Sequence, residues 1–172
     1  MRQETNLRAW KAYGWGLAVF AVAVDQISKF LIIQIFSDSV QPYYGITPFF
    51  NIVLAWNRGV SFGLFGGAGE NGPLILIGLT LVIIGGLAVW LVKAETRFSA
   101  VGLGLIIGGA LGNVIDRFRF GAVTDFLDLY VMGYHWPAFN FADSFVVVGA
   151  AALLLESFFV SDESSPGSDE TH

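Results

Sequence analysis

The sequence predicts an all-α membrane protein built on four transmembrane helices. Three observations carry that prediction. Across 172 residues the hydrophobic share is 55% and the charged share 13%, where soluble domains carry about 25% charged residues. Mean hydropathy is +0.65. Four stretches approach or exceed the roughly 20 apolar residues a helix needs to cross a hydrocarbon core.

The first stretch, Ala12 to Phe36, is interrupted by Asp25 and Lys29. Its basic front (Arg2, Arg8, Lys11) and the small-x-small run Ala21-Val22-Ala23 have the look of a secretory signal. Apolar character resumes after Lys29 with Phe30-Leu31-Ile32-Ile33, giving full spanning length, so a retained helix is expected. Pro73 to Val92 and Phe98 to Ile115 carry no charge at all. Phe139 to Val160 holds Asp143 near its start and Glu156 near its end. The spans are expected at about 12–36, 73–92, 98–117 and 139–160, within one integral-membrane domain over 1–160.

Orientation follows from Lys and Arg beside the span ends. Arg2, Arg8, Lys11, Lys93 and Arg97 fall on one side, and Arg58, Arg117 and Arg119 on the other. Both termini are therefore expected in the cytoplasm of a multi-pass protein, with the two longer connections outside. In the first connection, 37–72, the aromatic and β-branched run from Thr47 to Phe65 favours short strands and turns at the membrane surface. In the second, Asp125 to Met132 reads as a short amphipathic interfacial helix, with Tyr134 and Trp136 at headgroup depth. Residues 161–172 are acidic and Ser-rich, as expected of a solvated cytoplasmic tail. They hold four of the fourteen acids, so the rest of the chain is close to neutral. No basic nucleic-acid footprint remains. Absence of Cys removes thiol nucleophiles, disulfides and thiolate metal sites, and two His residues do not make a metal centre.

Each charge inside a span costs on the order of 2.5–3.5 kcal/mol on insertion scales and needs a reason. Asp25 and Lys29 stand four apart on one helix face and can pair. Asn113, Asp116 and Arg117 share a face at the outer end of span three, where Arg117 is expected to hold Asp116 ionised in a scaffold. Asp125 and Asp143 have no cation at helix spacing. Packing of spans three and four would bring them together near the outer surface, where two poorly solvated carboxylates share one proton. Such a pair can activate water and protonate a carbonyl, as in aspartic proteases. It can equally serve as a proton or cation relay in a transporter, the commoner use of buried acids. Spacing alone leaves both open.

The blocks Gly108-Gly-Ala-Leu-Gly-Asn-Val-Ile-Asp-Arg117, Val123-Thr-Asp-Phe126 and Pro137-Ala-Phe-Asn-Phe-Ala-Asp-Ser144 resemble the signatures of the lipoprotein signal peptidase (signal peptidase II) family. Upstream, Asp25-Gln-Ile-Ser-Lys29 and Asn57-Arg-Gly-Val-Ser-Phe-Gly63 resemble that family's first-helix and outer-loop motifs. The five blocks run in order across about residues 12–160. The resemblance implies four transmembrane helices, a small extracytoplasmic β-cradle and a short interfacial helix. It implies an aspartic endopeptidase of the bacterial inner membrane that uses Asp125 and Asp143 and needs no cofactor or metal. The substrates would be diacylglyceryl-modified prolipoproteins, cut before the lipidated cysteine. Asn57, Gly59, Asn113, Arg117 and Asn140 would hold the substrate backbone or a globomycin-type inhibitor. Asp25, Lys29, Gly109 and Asp116 would support the site. The implied partners are substrate and membrane lipids, with no nucleic acid, and the enzyme would be a monomer. Val60-Ser61 departs from the family's usual pair of alanines.

Overall fold

The computed structural model describes residues 2–59 and 71–162. Val60, Ser61, Gly63 and nearly all of the acidic tail lie outside the described residues. In chain order the elements are α1 (Arg2–Ser37), β1 (Tyr43–Thr47), β2 (Phe50–Asn57), α2 (Gly72–Lys93), α3 (Arg97–Phe120), β3 (Val123–Val131), β4 (Tyr134–His135) and α4 (Phe141–Asp162).

All four helices are long and apolar enough to cross a membrane. Their ends follow local chemistry. Pro73 opens α2, where the missing N–H costs nothing. Thr96 caps α3 by accepting the Ser99 amide at 3.0 Å. Gly121, with φ of 68°, ends α3 in the left-handed conformation as its N–H returns to the Arg117 carbonyl at 2.9 Å. At the opposite end of α3, Glu156 of α4 accepts hydrogen bonds from the Thr96 and Ser99 hydroxyls. The intramembrane Glu156 thus sits at a helix joint.

Helix α3 lies at the centre and packs on α1, α2 and α4. Among the described residues it has the most buried positions of the four helices, and its small side chains set the packing distance. A methyl group added at Gly104 would strike the Gly14 backbone of α1, and one at Gly109 the Ala142 carbonyl of α4. The outward faces carry large exposed apolar side chains such as Phe20, Val82, Trp90 and Val147. This distribution suits a lipid solvent, in which apolar exterior surface carries no penalty.

The strands form one antiparallel sheet in the order β1-β2-β3-β4. Asn51 stands opposite Asp128 and Ala55 opposite Asp125, with a register irregularity between Ile52 and Ala55. This overturns one sequence expectation. Asp125 to Met132 is strand rather than interfacial helix: β3 covers Val123–Val131 and Met132 starts the turn into β4. The Asp-Phe-Leu-Asp-Leu-Tyr run pairs with β2 on one edge and β4 on the other, so its backbone groups are satisfied by neighbours rather than by a helix turn.

Candidate active site

The site forms where β3 meets the start of α4 over the end of α3. Asp125 lies on β3 and is 2% exposed. Its Oδ1 accepts the Asn140 side-chain amide at 2.7 Å, and its Oδ2 accepts that of Asn57 from β2 at 3.0 Å. Asp143 lies in the first turn of α4 and accepts the Asn113 amide of α3 on Oδ1 at 2.8 Å. Asn140, the residue before α4, ties the two acids together. Its Oδ1 accepts the Asp143 N–H at 2.9 Å, while its own N–H reaches Asp143 Oδ2 at 3.3 Å. This is a reciprocal capping pair at a helix N-terminus. The Nδ2 group of Asn140 reaches the Asp125 carboxylate and also Asn113 Oδ1 at 3.2 Å.

Burial pushes the Asp125 carboxyl up to about 6, and the negative charge of Asp143 adds to the rise. The Asn57 and Asn140 amides pull the other way. The charge of Asp143 thus bears on the protonation of Asp125. The Arg117 guanidinium interacts most strongly with Asp143, then with Asp125 and Asp116. It donates to the Asn113 carbonyl at 3.4 Å, and its Nε is buried without a hydrogen-bond partner. An orphan donor of a permanent cation beside two acids is a place for an incoming oxygen.

Beneath the acids lies a second polar layer. Lys29 Nζ stands 2.9 Å from Asp25 Oδ2 and 3.1 Å from Asp116 Oδ2, with all three side chains nearly inaccessible. The same ammonium donates to Asn113 Oδ1 at 3.1 Å, which turns the Asn113 NH₂ towards Asp143. Asp25 Oδ1 accepts the Ala142 N–H of α4 at 3.0 Å, and Asp116 Oδ2 accepts the Thr124 N–H of β3 at 2.9 Å. One carboxylate thus holds the element bearing Asp143 and the other the element bearing Asp125. A Cβ at Gly112 would strike the Asp25 carboxylate, so α1 and α3 meet only with glycine there.

The Asp25–Lys29 pair forms as the four-residue spacing implied. Arg117 does act on Asp116, though less than on Asp143 and Asp125, and it is not the close ion-pair partner. The cation on Asp116 is Lys29 from another helix, because neighbouring residues of a helix point about 100° apart. The charge of Arg117 also acts on Asp125 and Asp143, an influence from another element that their own sequence surroundings did not reveal. Gly59 stands apart from the acids; with φ of 75° it donates its N–H to Asn57 Oδ1 at 2.9 Å and so fixes the Asn57 amide. Gln26 was not anticipated: its amide donates to Asp116 Oδ1 at 2.9 Å and to the Gly112 carbonyl at 3.2 Å. No sequence signal marks it beyond its place beside Asp25.

Against known proteins, the model of the signal peptidase (SPase) II family matches residues 17–159. The chain belongs to the signal peptidase II family. A lipoprotein signal peptidase of Rhodopseudomonas palustris (strain TIE-1) is 43% identical over 144 residues, covering 81% of this chain and 88% of the relative. Another, from Methylorubrum extorquens (strain PA1), is 46% identical over 138 residues, covering 79% and 80%. Among solved structures, a bacterial membrane enzyme determined by the in meso method at 2.3 Å resolution superposes with a TM-score of 0.73. It is 29% identical, with 94% of this chain and 95% of that one covered. Signal peptidase II membership makes the chain an aspartic peptidase, and its four apolar helices and small sheet are similar to those of a solved bacterial membrane enzyme.

Proposed function

We propose that the chain is a membrane-embedded aspartic endopeptidase that removes signal peptides from diacylglyceryl-modified prolipoproteins, cutting on the N-terminal side of the lipidated cysteine. The observation that carries this reading is the joining of Asp125 and Asp143 through Asn140 at the foot of a family-wide match.

In the reaction, Asp125 is the natural holder of the shared proton, since burial raises it towards neutrality. Asp143 sits in the first turn of α4, across Asn140 from Asp125. As the ionised acid takes a proton from water, the water oxygen bonds to the scissile carbonyl carbon. The protonated acid gives its proton to the carbonyl oxygen, producing a neutral diol. The C–N bond then breaks as the departing nitrogen takes the proton held by the first acid and a diol hydroxyl returns its proton to the second, leaving a carboxylic acid, a free amine and the pair as it began. Arg117 Nε and the amides of Asn57, Asn113 and Asn140 surround this position as substrate-holding groups, and Gly59 positions Asn57. Asp25, Lys29, Asp116 and Gly109 keep α1, α3 and α4 in register beneath it.

The lipid on the substrate explains the location. A diacylated cysteine stays with the bilayer, so its peptide bond must be met at the membrane surface. In this reading the sheet and the acids face the extracytoplasmic side of the inner membrane, and both termini face the cytoplasm. The enzyme acts as a monomer without a cofactor, and a globomycin-type cyclic peptide competes for the same groups. The experiment is a gel-shift assay with purified protein and a diacylglyceryl-modified precursor. Asp125→Asn and Asp143→Asn should insert normally and leave the precursor uncut. Normal cutting by either variant overturns the reading.

A further inference from the structure

A cavity of about 520 Å³ lies against the sheet, walled chiefly by Tyr43, Asn51, Asp128, Tyr130, His135 and Trp136, and no helix contributes to its walls. It has no part in the reaction described above, yet it holds a buried charge. Asp128 is 7% exposed. Its Oδ2 accepts the Asn51 side-chain amide at 2.8 Å, and its two oxygens stand 2.8 and 2.9 Å from His135 Nδ1. Those contacts outweigh burial and hold the carboxyl below its usual range, so it is ionised at neutral pH.

Neither partner supplies a permanent positive charge. Asn51 is neutral, and His135 is cationic only when protonated. Among the described residues no Lys or Arg lies within ion-pairing distance of Asp128. With its Nδ1 proton turned to the carboxylate, the His135 ring keeps Nε2 as an acceptor. The ring is stacked on Tyr130, centroids 5.0 Å apart. A carboxylate, an imidazole acceptor and the rings of Tyr43, Tyr130 and Trp136 together suit an ammonium or guanidinium on an apolar stem. The stem lies along the rings, and the cation gains from both the ring faces and the uncompensated charge.

The position of the cavity says where that cation comes from. Asp128 lies three residues beyond Asp125 on β3, about 10 Å along the strand, and on its opposite face. The cavity and the cleft lined by Asp143 share Trp136 and Ala138, so the two meet around the short β4 edge. A substrate divides at the same place. The apolar core of its signal peptide stays with the bilayer and the helices, whereas the chain after the cysteine leaves on the aqueous side, past the sheet. The path from the bond to Asp128 takes about three to five residues of extended chain.

We propose that this cavity is a subsite for a basic side chain within the first few residues after the lipidated cysteine, with Asp128 and His135 setting the preference. The inference rests on the proposed endopeptidase function and adds to it a charge specificity on the far side of the bond.

The test uses the purified full-length protein in phosphatidylglycerol vesicles. Diacylglyceryl-modified precursors carry Lys, Ala or Glu at each of the five positions after the cysteine. At one position or two adjacent ones, kcat/KM should be at least about tenfold higher for Lys than for Glu. Asp128→Asn should bring that ratio below about threefold. Because the ratio compares two substrates on one enzyme, general damage cancels. Asp38→Asn, which removes an exposed acid just beyond α1, should keep it. A diazirine on the side chain at the preferred position should label Tyr43, Tyr130 or Trp136 of wild type by mass spectrometry. Equal rates for Lys and Glu throughout, a ratio that survives Asp128→Asn or falls as far in Asp38→Asn, or labelling confined to the helices overturns the subsite. So does a ratio near one with slower cutting of every precursor when phosphatidylethanolamine is added, which marks the cavity as a lipid headgroup site. If wild type cuts no precursor at all, the endopeptidase reading itself fails. Should Asp128→Asn not fold, the labelling of wild type decides.

Discussion

Asn140 donates to Asp125 at 2.7 Å with the same side chain whose oxygen caps the Asp143 amide at 2.9 Å. Two roles therefore meet in one residue: fastening the first turn of α4, and fixing the distance between the acids. They can be separated. Asn140→Ser keeps an oxygen for the cap and should hold thermal stability within a few tenths of a kcal/mol, whereas Asn140→Ala should lose about 1 kcal/mol. Both should lower kcat by about a hundredfold or more, because neither restores the amide donor to Asp125. A variant that keeps full activity without the amide would remove the bridging role.

The pH dependence follows from Asp125. Its carboxyl sits at about 6, so kcat/KM should decline as pH rises through that value and the shared proton is lost. The Asn57 hydrogen bond favours the charged form, so Asn57→Val should move the alkaline limb to higher pH. A limb that stays put, or moves down, in a pH–rate profile contradicts the assignment.

Stability carries the same signature with a definite sign. A carboxyl raised from 3.8 to about 6 on folding contributes stability that is complete below pH 3.8 and lost as pH climbs through about 6. Between pH 4 and 7.5, wild type should therefore lose on the order of 2 kcal/mol more than Asp125→Asn. Denaturation in detergent at a series of pH values measures the difference in slope.

Lys29 neutralises two buried carboxylates from one position. Lys29→Met leaves both without a cation and should cost about 3–5 kcal/mol. Removing one acid as well, as in Lys29→Met with Asp25→Asn, should recover part of that loss. A denaturation series of the single and double variants checks it.

Gly109 and Gly112 should also be intolerant of substitution. Gly109→Ala presses on the Ala142 carbonyl and Gly112→Ala on the Asp25 carboxylate. Each should cost about 1–3 kcal/mol and reduce kcat, since Ala142 adjoins Asp143. Gly78 has open space around it, and Gly78→Ala should be nearly silent in both assays.

How far the sequence could be read depended on whether partners shared an element. The four helices were legible because apolar length is a local property, and Asp25–Lys29 because four residues make one helix turn. The cation of Asp116 was not legible. It comes from α1, and nothing within span three distinguishes Lys29 from the adjacent Arg117. The misread segment was β3. Its first four residues are buried on both faces, which erases the two-residue alternation that marks a strand, and the flanking Gly121 and Gly133 were the remaining clue. The pairing of Asp128 with His135 at 2.8 Å and Asn51 at 2.8 Å depended on that strand and was equally hidden. The two hydrogen bonds outweigh burial and hold the Asp128 carboxyl below its usual range.

The layer of Lys29, Asp25 and Asp116 beneath the acids also defines a weakness. The carboxylates that would do the chemistry stay in place only while the first and third helices remain clasped around a single ammonium. A lipophilic compound that wedged between those helices from the bilayer side would disarm the protein without resembling any substrate. Resistance to it would have to arise among residues that cannot change without loosening the fold.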